Sequence, residues 1–417
     1  MAKENKEEPR SVSVAEPYEL PDGWKWTRLG DVAKFIGGGT PDKRKAEFWN
    51  GNIPWASVKD IKGDFLFSTE DSITEIGLNE SSSTLCEENG LILVTRIAPG
   101  KAIVSKIKTA INQDLKIVQT NESKQFMKLF FDFYEEEIKR LSSGTTVKGI
   151  RLDSLQEIPF PLPPLSEQKR IVSRIESMFA KLDEATEKAE SALESFETRK
   201  ASILHKAFTG ELTAKWRKEN GVKDESWEEK TIGECFTHTT GKALKKDNQN
   251  GTPREYITTS NLYWDRFDFS EVRTMYFTDE ELEKCTAKKG DLLICNGGDV
   301  GRAAIWNFDY EICLQNHVSK LRNKGNVETR LFLYYFMLSK IKGNVNGKGI
   351  GISSLSAKDL LAMQIKLPTL PEQQEIVRIL DSVLEKESRA KETAQTVLDQ
   401  IALLKKSILA RAFRGEL

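Results

Sequence analysis

Residues that often carry chemistry are scarce in this sequence. Its 417 residues include five cysteines and three histidines, and the formal net charge is −1. The cysteines form no CxxC pair, so we expect reduced thiols rather than a disulfide framework or a zinc motif. No apolar run approaches the roughly 20 residues that a membrane span needs, and the charged start of the chain lacks a signal-peptide core. These absences predict a cytoplasmic protein that holds no metal of its own.

Motifs of catalysis and nucleotide binding are missing as well. The stretch KFIGGGTP (34–41) lacks the GxGxxG spacing of dinucleotide-binding loops, and GNVNGKGI (343–350) has neither the spacing nor the Ser or Thr of a P-loop. The histidines show no metal-ligand spacing, and the NPPF or DPPY motif of adenine methyltransferases is absent. We therefore predict that the chain catalyses no reaction alone. The near-zero net charge leaves the partner open, because an acidic face can offset a basic cleft.

The sequence does contain an internal repeat. The phrase KASILHKAFTGEL, which ends at Leu212, returns as KKSILARAFRGEL, which ends 205 residues later at Leu417. PLPPLSEQKRIV (161–172) and KLPTLPEQQEIV (366–377) are also 205 residues apart. Upstream, GWKWTRLGDV is similar to SWEEKTIGEC, and NGLILVTRIAPGK to KGDLLICNGGDVGR, with offsets that drift between about 200 and 203. Each half is thus a variable block followed by a block of fixed length.

The fixed-length blocks predict two long helices. After a proline-rich lead, Ser166 is a candidate N-cap, and no Pro or Gly follows until Gly210, which allows about 40 residues or roughly 60 Å of helix. Gly210 and Gly415 stand where a left-handed residue ends a helix. Apolar residues recur at alternating steps of four and three, which is coiled-coil spacing. The residues that we expect to form the coiled-coil or partner contact are Ile171, Ile175, Met178, Leu182, Phe196, Ile203, Ile376, Leu380, Val383, Val397, Ile401 and Ile408.

Two packings fit these apolar stripes. Each helix could bury its stripe on its own variable block, or the two helices could pack on one another, which their shared length favours. Glu387 interrupts the second stripe. The connection 213–225 is too short to return along the first helix, so the second block has to begin near that helix's end. We therefore expect an antiparallel pair.

The variable blocks are typical of mixed α/β structure. Short β-rich runs such as NIPWASV and DLLICNG alternate with polar, basic loops that contain glycine, among them GGGTPDKRK and NGGDVGR. Gly, Asn, Thr, Lys and Arg in such loops allow close backbone approach and contacts to base edges and phosphates. Any single loop could simply be solvated. Their recurrence before both predicted helices favours nucleic-acid binding.

These motifs together resemble the specificity (S) subunit of type I restriction-modification systems. They are the two LP..L.EQ..IV openings, the two SIL..AF.GEL endings, GWKWTRLGDV, GGGTP followed by IPW, and GDLLICNGGDVGR, and they span nearly the whole chain. The resemblance implies an α+β fold in which two α/β target recognition domains are separated by two long antiparallel helices, forming a coiled coil with a pseudo-twofold internal repeat. The expected segments are a tail at 1–23, recognition domains at 24–160 and 227–365, helical regions at 161–212 and 366–417, and a linker at 213–226.

The resemblance also implies a function and partners. Each recognition domain would read one half of a bipartite, asymmetric target in double-stranded DNA. The helices would dock two modification (M) subunits, and restriction (R) subunits would join them. S-adenosylmethionine, ATP and Mg are expected on those partners, whereas this chain would carry no cofactor. The equal helices would act as a ruler between half-sites about one helical turn apart.

Basic and polar loop residues are the candidate DNA contacts, with Arg and Asn expected to read bases and Lys mostly to bind phosphates. In the second block TTGKALKK (239–246) is the nearest counterpart of GGGTP. The candidates are Thr40, Lys43, Arg44, Lys59, Arg96, Lys148, Arg151, Lys242, Lys245, Lys246, Arg254, Asn296, Arg302, His317 and Lys348. Two rival functions remain. A self-sufficient methyltransferase or nuclease would act without partners, and a coiled-coil scaffold would give no sequence-selective footprint on DNA.

Overall fold

The computed structural model describes residues 16–144, 148–223, 226–244, 249–345 and 355–417. The chain forms two compact units. Unit 1 is the chain up to Lys188 together with Thr396–Leu417, and unit 2 is Ala189–Gln395. Each unit therefore contains one variable block and a part of each predicted long helix.

The first half alternates short strands and short helices before one long helix. Its strands are β1 (Lys25–Arg28), β2 (Ala33–Gly37), β3 (Trp49–Ala56), β4 (Phe65–Leu66), β5 (Asp71–Ile73), β6 (Thr84–Cys86), β7 (Leu91–Val94), β8 (Ala102–Ser105), β9 (Thr109–Ile111), β10 (Leu115–Thr120) and β11 (Pro159–Leu162). Its helices are α1 (Leu29–Val32), α2 (Glu75–Asn79), α3 (Lys124–Leu141), α4 (Leu152–Gln156) and α5 (Leu165–Phe208), with 3-10 turns at Ala46–Phe48 and Val58–Asp60.

The second half follows a similar order. Its strands are β12 (Glu228–Thr231), β13 (Phe236–Thr240), β14 (Thr252–Ile257), β15 (Leu262–Tyr263), β16 (Arg266–Phe267), β17 (Arg273–Phe277), β18 (Thr286–Ala287), β19 (Leu292–Cys295), β20 (Ala303–Ile305), β21 (Ile312–Leu314), β22 (Val318–Asn323) and β23 (Gln364–Leu367). Its helices are α6 (Ala214–Asn220), α7 (Ile232–Cys235), α8 (Asp279–Cys285), α9 (Thr329–Ile341), α10 (Ala357–Ala362) and α11 (Leu370–Phe413). This mixture of helices and sheets confirms the predicted α+β class.

Two sheets and one helix build the core of each variable block. In unit 1 the sheets have the orders β2-β10-β7-β8-β4 and β5-β3-β9-β6, and in unit 2 the orders β13-β22-β19-β20 and β17-β14-β21-β18. Successive side chains of a strand point to opposite faces. Leu91 and Leu93 of β7 therefore enter the core beside α3, whereas Ile92 and Val94 enter the core that includes β3 and β9. The uninterrupted apolar run LILV is thus buried on both faces.

The glutamine of each EQ pair joins the start of a long helix to the start of a block helix. In unit 1 the Gln168 side chain accepts a hydrogen bond from the Ser123 backbone N–H (3.0 Å) and donates to the Pro163 carbonyl (3.0 Å). In unit 2 Gln373 accepts from the Glu328 N–H (2.9 Å) and donates to the Pro368 carbonyl (2.8 Å). Both glutamines are buried. The repeated motif therefore fixes the same helix junction twice.

The two long helices each contain 44 residues, which agrees with the predicted length. Helix α5 begins at Leu165, so Ser166 lies in the first turn and the N-cap prediction for that residue is wrong. Position 166 corresponds to Pro371, and proline is favoured in the first turn because its missing N–H is not needed there. Gly210 (φ +83°) and Gly415 (φ +75°) have the predicted left-handed backbone after the helix ends.

Within each unit the long helices run antiparallel. In unit 1 Arg170 Nη2 donates to the Leu417 backbone oxygen (2.6 Å), and further along α5 Asp183 pairs with Lys405. In unit 2 Lys391 Nζ lies 3.4 Å from a carboxylate oxygen of Glu197. The apolar ends of the helices also pack on the variable blocks. Both packings considered from the sequence therefore occur.

The predicted stripe residues lie in the interior of these contacts. Six are buried, namely Ile171, Ile175, Phe196, Ile376, Leu380 and Ile401. The others are half-buried, namely Met178, Leu182, Ile203, Val383, Val397 and Ile408. The helix ends contribute further buried residues that the spacing did not predict, including Leu204, Leu409 and Phe413.

Candidate nucleic-acid interface

Four loops of unit 1 are joined by backbone hydrogen bonds into one surface, here called loop cluster 1 (residues 38–44, 95–101, 112–114 and 148–151). The Gly39 N–H donates to the Ile111 carbonyl (3.1 Å), and the Thr95 N–H donates to the Asp114 carbonyl (2.9 Å). The Ile150 N–H in turn donates to the Thr95 carbonyl (2.9 Å). Loops far apart in sequence therefore present their side chains together.

Three loops of unit 2 form a corresponding surface, loop cluster 2 (residues 241–244, 296–302 and 315–317). The Lys242 N–H donates to the Leu314 carbonyl (2.8 Å), and the Asn296 N–H donates to the His317 carbonyl (3.0 Å). These bonds match Gly39–Ile111 and Thr95–Asp114 one for one, with offsets that fall in the range found from the sequence.

A glycine allows the closest backbone approach in each cluster. A Cβ atom on Gly38 would lie 2.1 Å from the Ile111 carbonyl oxygen, and a Cβ on Gly241 would lie 2.1 Å from the Leu314 carbonyl oxygen. Neither position can hold a larger residue without moving a backbone carbonyl. The TTGKAL stretch is therefore the structural counterpart of GGGTP, which its sequence only suggested.

Loop cluster 1 combines amide, hydroxyl and cationic groups. Arg96 Nη1 lies 3.2 Å from Asp114 Oδ1, and Thr40 Oγ1 donates to Gln113 Oε1 (2.6 Å). Lys116 Nζ lies 3.5 Å from the Gln113 carbonyl, and burial lowers the pKa of this lysine. Such groups can bind phosphates and base edges. Lys148 and Arg151, both exposed, add cations at the edge of the same surface.

One residue of this cluster has an unusual backbone. Ile97 has φ +73°, a left-handed conformation that is rare for a β-branched residue. Its side chain is 58% exposed, so burial does not compensate for this conformation. The corresponding residue of cluster 2 is Gly298, with φ +69°, which tolerates the same backbone. Strain held in an exposed loop is a mark of functional sites.

Two other candidates of the first block, Arg44 and Lys59, form ion pairs with neighbouring carboxylates. Arg44 forms two hydrogen bonds with the Asp42 carboxylate, and these bonds lower the pKa of Asp42 to about 2. Lys59 lies in a 3-10 turn outside the cluster, 2.8 Å from Asp71 and 3.2 Å from Glu70. Lys43 is exposed in the same loop as Thr40.

Loop cluster 2 contains a network of half-buried amide groups. Asn296 Nδ2 donates to the Asn316 carbonyl (3.3 Å) and to Ser319 Oγ (3.0 Å), while His238 Nε2 lies 3.0 Å from the same hydroxyl. Burial lowers the pKa of His238, which favours its neutral form. Among the residues that the structure describes, Asn296 Oδ1 is buried without a hydrogen-bond partner. His317 is exposed beside this network.

Two basic candidates of the second block, Lys242 and Arg302, donate hydrogen bonds to backbone carbonyls within unit 2. The Lys242 ammonium is buried and donates to the Tyr276 carbonyl (2.7 Å) and to Glu281 Oε2 (2.6 Å), so it is a structural cation and not a surface contact. The Arg302 guanidinium donates to the Thr259 carbonyl (2.5 Å). This bond joins Arg302 to a neighbouring loop, and in unit 1 Lys101 Nζ similarly donates to the Ile61 carbonyl (3.3 Å).

Arg254 lies apart from loop cluster 2. It is on β14 and lines a cavity of about 710 Å³ that Lys288 and Arg322 also line. The remaining candidates, Lys245, Lys246 and Lys348, lie outside the described residues.

Sequence reasoning missed Gln113 and Lys116 in unit 1 and Asn316 in unit 2. The signal was present, because INQDLKI and LQNHVSKL align across the repeat and place a polar turn between two buried strands. In the described parts of the chain no group of acidic, His or Cys side chains could hold a metal ion. Over those same residues, every helix is too short or too polar to cross a bilayer.

Comparison with known proteins identifies the family. The family described as "Type I restriction modification DNA specificity domain" matches twice, over residues 21–195 and 224–398. The EcoKI specificity subunit of Escherichia coli K12 is 24% identical over 429 residues, which cover 96% of this chain and 90% of that protein. The EcoR124I/EcoR124II specificity subunit of Escherichia coli is 33% identical over 174 residues, which cover 39% of this chain and 43% of that protein.

Solved structures share the fold. A chain from a study of complex assembly and conformational transition of the type I R-M system superposes with a TM-score of 0.76 at 21% identity, covering 96% of this chain and all of that one. The HsdS subunit from Thermoanaerobacter tengcongensis superposes with a TM-score of 0.64 at 21% identity, covering 96% of this chain and 99% of that one.

Each half of the repeated α+β fold matches a DNA specificity domain, which defines the chain as a DNA-recognition protein. The chain belongs to the family of type I restriction-modification DNA specificity subunits. As such it is non-catalytic and works in a complex with DNA and other subunits. The resemblance predicted from the sequence is confirmed.

Proposed function

We propose that the chain reads a bipartite, asymmetric DNA target, with loop cluster 1 contacting one half and loop cluster 2 the other. One observation carries this proposal. The two clusters share backbone hydrogen bonds but differ in the residues at matched positions, for example Asp114 against His317 and Ile97 against Gly298. A common frame with different side chains is suited to reading two different sequences.

The proposal extends to the partners. The long helices dock two M subunits, which methylate adenine, and R subunits join the assembly. Those partners bind S-adenosylmethionine, ATP and Mg, and the chain works in the cytoplasm. The support is the repeated helical segment of 44 residues, whose equal length in both copies suits it to set a fixed spacing between half-sites.

The contacts proposed for unit 1 are Arg96, Lys148 and Arg151 together with Thr40, Lys43, Gln113 and Lys116, and those for unit 2 are Asn296, Asn316 and His317. Arg96 is the leading base-reading candidate, because its side chain is 49% exposed in a loop that a backbone hydrogen bond joins to the loop of Asp114. Lys148 is the leading candidate for a phosphate contact, since it is exposed at the edge of the cluster.

The proposal is tested with the full chain bound to its M subunit. Charge reversal by Arg96→Glu and Lys148→Glu should weaken binding to target DNA about tenfold or more, and should reduce the dependence of affinity on salt. The control is Lys215→Glu, since Lys215 is 90% exposed on α6, which contributes no residue to either cluster. A sequence-selective footprint that survives the double reversal unchanged contradicts the map. A complete absence of selective binding would favour a scaffold.

A further inference from the structure

Unit 1 contains an open cleft between its variable block and helix α5. The cleft has a volume of about 510 Å³. Its lining includes the apolar side chains of Leu129, Ile175 and Phe179, with Asp64 on the variable block and Glu176 on α5. The other charged residues that line it are Lys106, Lys124, Lys128, Asp132 and Asp183. This combination of apolar and polar groups is typical of binding sites.

The corresponding place in unit 2 shows what fits there. The block helices α3 and α9 start at equivalent residues, because Gln168 and Gln373 bond to their N-terminal residues in the same way. The offset of 205 residues between those glutamines relates Gln125 to Arg330, Leu129 to Tyr334 and Glu176 to Asp381.

The neighbouring strands match the remaining residue, Asp64, to Asp265 of unit 2. Asp64 and Asp265 directly precede β4 and β16, and they bond to corresponding strands. The Asp64 carbonyl accepts from Val104 of β8 (3.0 Å), and the Asp265 N–H donates to Ala303 of β20 (3.0 Å).

Unit 2 fills this place with its own side chains. The Arg330 guanidinium lies between two carboxylates, 2.6 Å from Asp381 Oδ1 and 2.8 Å from Asp265 Oδ2. The Tyr334 hydroxyl donates to Asp381, and the Tyr334 side chain is buried. An arginine and an aromatic ring thus close the junction between block and helix.

Unit 1 keeps the carboxylates but lacks the groups that would close the junction. Gln125 and Leu129 stand where Arg330 and Tyr334 would be. Lys128 replaces part of the missing positive charge, because its Nζ lies 2.8 Å from Asp64 and 2.7 Å from Asp132. Glu176 is exposed, and among the described residues it forms no ion pair.

Exposed aromatic rings extend the cleft outward. Phe65 is 47% exposed and Phe67 is 69% exposed, with their ring centroids 6.0 Å apart. Exposed aromatic side chains that continue an apolar cleft are typical of protein–protein contacts. The lining holds four carboxylates against three lysines, and Lys128 is already paired with Asp64 and Asp132, so the charge of the cleft does not favour the phosphates of DNA. The chemistry of the cleft therefore favours a polypeptide with a cationic side chain.

We propose that this cleft binds an arginine-bearing segment of a partner protein, with the guanidinium between Asp64 and Glu176 and an apolar residue against Phe65 and Phe67. The partner then supplies in trans what Arg330 and Tyr334 supply in cis in unit 2. The choice of the M subunit as the first probe rests on the proposed function.

The first experiment introduces larger side chains that fill the cleft. In the full chain, Gln125→Arg combined with Leu129→Tyr reproduces the closure of unit 2. We expect the affinity for purified M subunit to fall about tenfold or more, with no decrease of the thermal midpoint. If the double variant folds poorly, Glu176→Gln serves instead, because Glu176 is exposed and its change leaves the core intact.

The outcomes separate the two proposals. If the wild-type chain binds neither purified M nor purified R subunit, the proposed function fails and this inference fails with it. If the wild type binds and both cleft variants bind equally well, the inference alone is overturned. Weaker binding by the filled cleft and by Glu176→Gln supports it.

A cross-linking experiment identifies the occupant. The five native cysteines are buried, so Phe67→Cys offers one accessible thiol for a benzophenone maleimide. Phe269→Cys is the control, because Phe269 is an exposed aromatic residue four positions after Asp265 of the closed junction in unit 2. The proposal predicts a cross-link from position 67 to a partner peptide that contains arginine, and a much weaker one from position 269. Cross-links to DNA, to a second copy of this chain, or equally from both positions would overturn it.

Discussion

Arg199 and Glu387 form a salt bridge between the two long helices within unit 2. Arg199 Nε and Nη2 lie 2.9 Å and 2.8 Å from Glu387 Oε2. Glu387 interrupts the apolar stripe of its helix, and Arg199 of the facing helix pairs with its carboxylate. A polar pair inside an otherwise apolar helix contact favours one register and orientation over others.

Breaking this pair should destabilise the helix contact. We expect Arg199→Ala to lower the unfolding free energy of the contact by about 1 kcal/mol, because it leaves the half-buried Glu387 carboxylate without its partner. The double variant Arg199→Leu with Glu387→Leu should be at least as stable as the wild type, since two apolar residues replace two desolvated charges. Thermal midpoints measure both effects.

The control for this prediction is an exposed pair on the same helix, Lys188 and Glu184. Lys188→Ala should change the thermal midpoint little, because exposed ion pairs contribute a few tenths of a kcal/mol. A double leucine variant less stable than Arg199→Ala would contradict the account of the Arg199–Glu387 pair.

The strained backbone of Ile97 can be tested directly. Ile97→Gly should raise the stability of unit 1 by about 1 kcal/mol, because glycine adopts the left-handed conformation without steric conflict. If the exposed side chain is used in DNA contact, the same change should weaken binding to target DNA. Ile97→Asn separates the two effects, since asparagine tolerates this backbone and keeps a side chain. A glycine variant less stable than the wild type would show that the loop is not strained.

The close approach at Gly38 makes a further prediction. Gly38→Ala would place a Cβ atom 2.1 Å from the Ile111 carbonyl oxygen, so loop cluster 1 must shift. We expect a loss of DNA affinity of about tenfold or more with the rest of the fold intact. Gly63→Ala is the matched control, because a Cβ at Gly63 meets no atom within 4 Å. Equal DNA affinities for the two variants would contradict the role of the cluster.

A pH dependence follows from Asp132. Burial raises the pKa of this carboxyl to about 6, although Lys128 lowers it in part. The folded state therefore holds the proton more tightly than the unfolded state, and this contribution to stability is complete below about pH 4. It is lost as the pH rises to about 6, by up to roughly 2 to 3 kcal/mol.

Removal of this carboxylate should remove that trend. The stability of the wild type relative to Asp132→Asn should fall between about pH 4 and 6 and stay constant above that range. Thermal midpoints across this range give the difference, and Asp153→Asn, at an exposed position, is the control. A difference that grows with pH would mean that the Lys128 ion pair outweighs burial.

Local patterns predicted the helices and the repeat because their determinants lie close together in sequence. The stripe spacing, the terminal glycines Gly210 and Gly415 and the repeated EQ pair each act within a few residues of a helix. These features gave two helices of nearly the observed length. Helix α5 begins two residues before the start that an N-cap at Ser166 predicts, because a proline-rich lead can enter a helix without a side-chain cap.

The interface was less predictable because it depends on contacts between distant segments. Lys242 looks like a surface cation in sequence, but its partner Glu281 is 39 residues away. Arg302 is drawn inward by the Thr259 carbonyl in the same manner. Gln113 and Lys116 enter the surface only because backbone bonds join their loop to those of Gly39 and Thr95. Contacts between residues so far apart in sequence cannot be predicted from composition or from the spacing of motifs.

The central claim is that each unit reads its own half of one DNA target. Methylome sequencing of cells that carry this chain with its M subunit tests it most directly. We predict methylated adenines in a two-part motif with a fixed spacer. Arg96→Ala with Gln113→Ala should relax one half of that motif, and Asn316→Ala with His317→Ala should relax only the other. A single continuous motif, or a change of both halves by either pair, would contradict the claim.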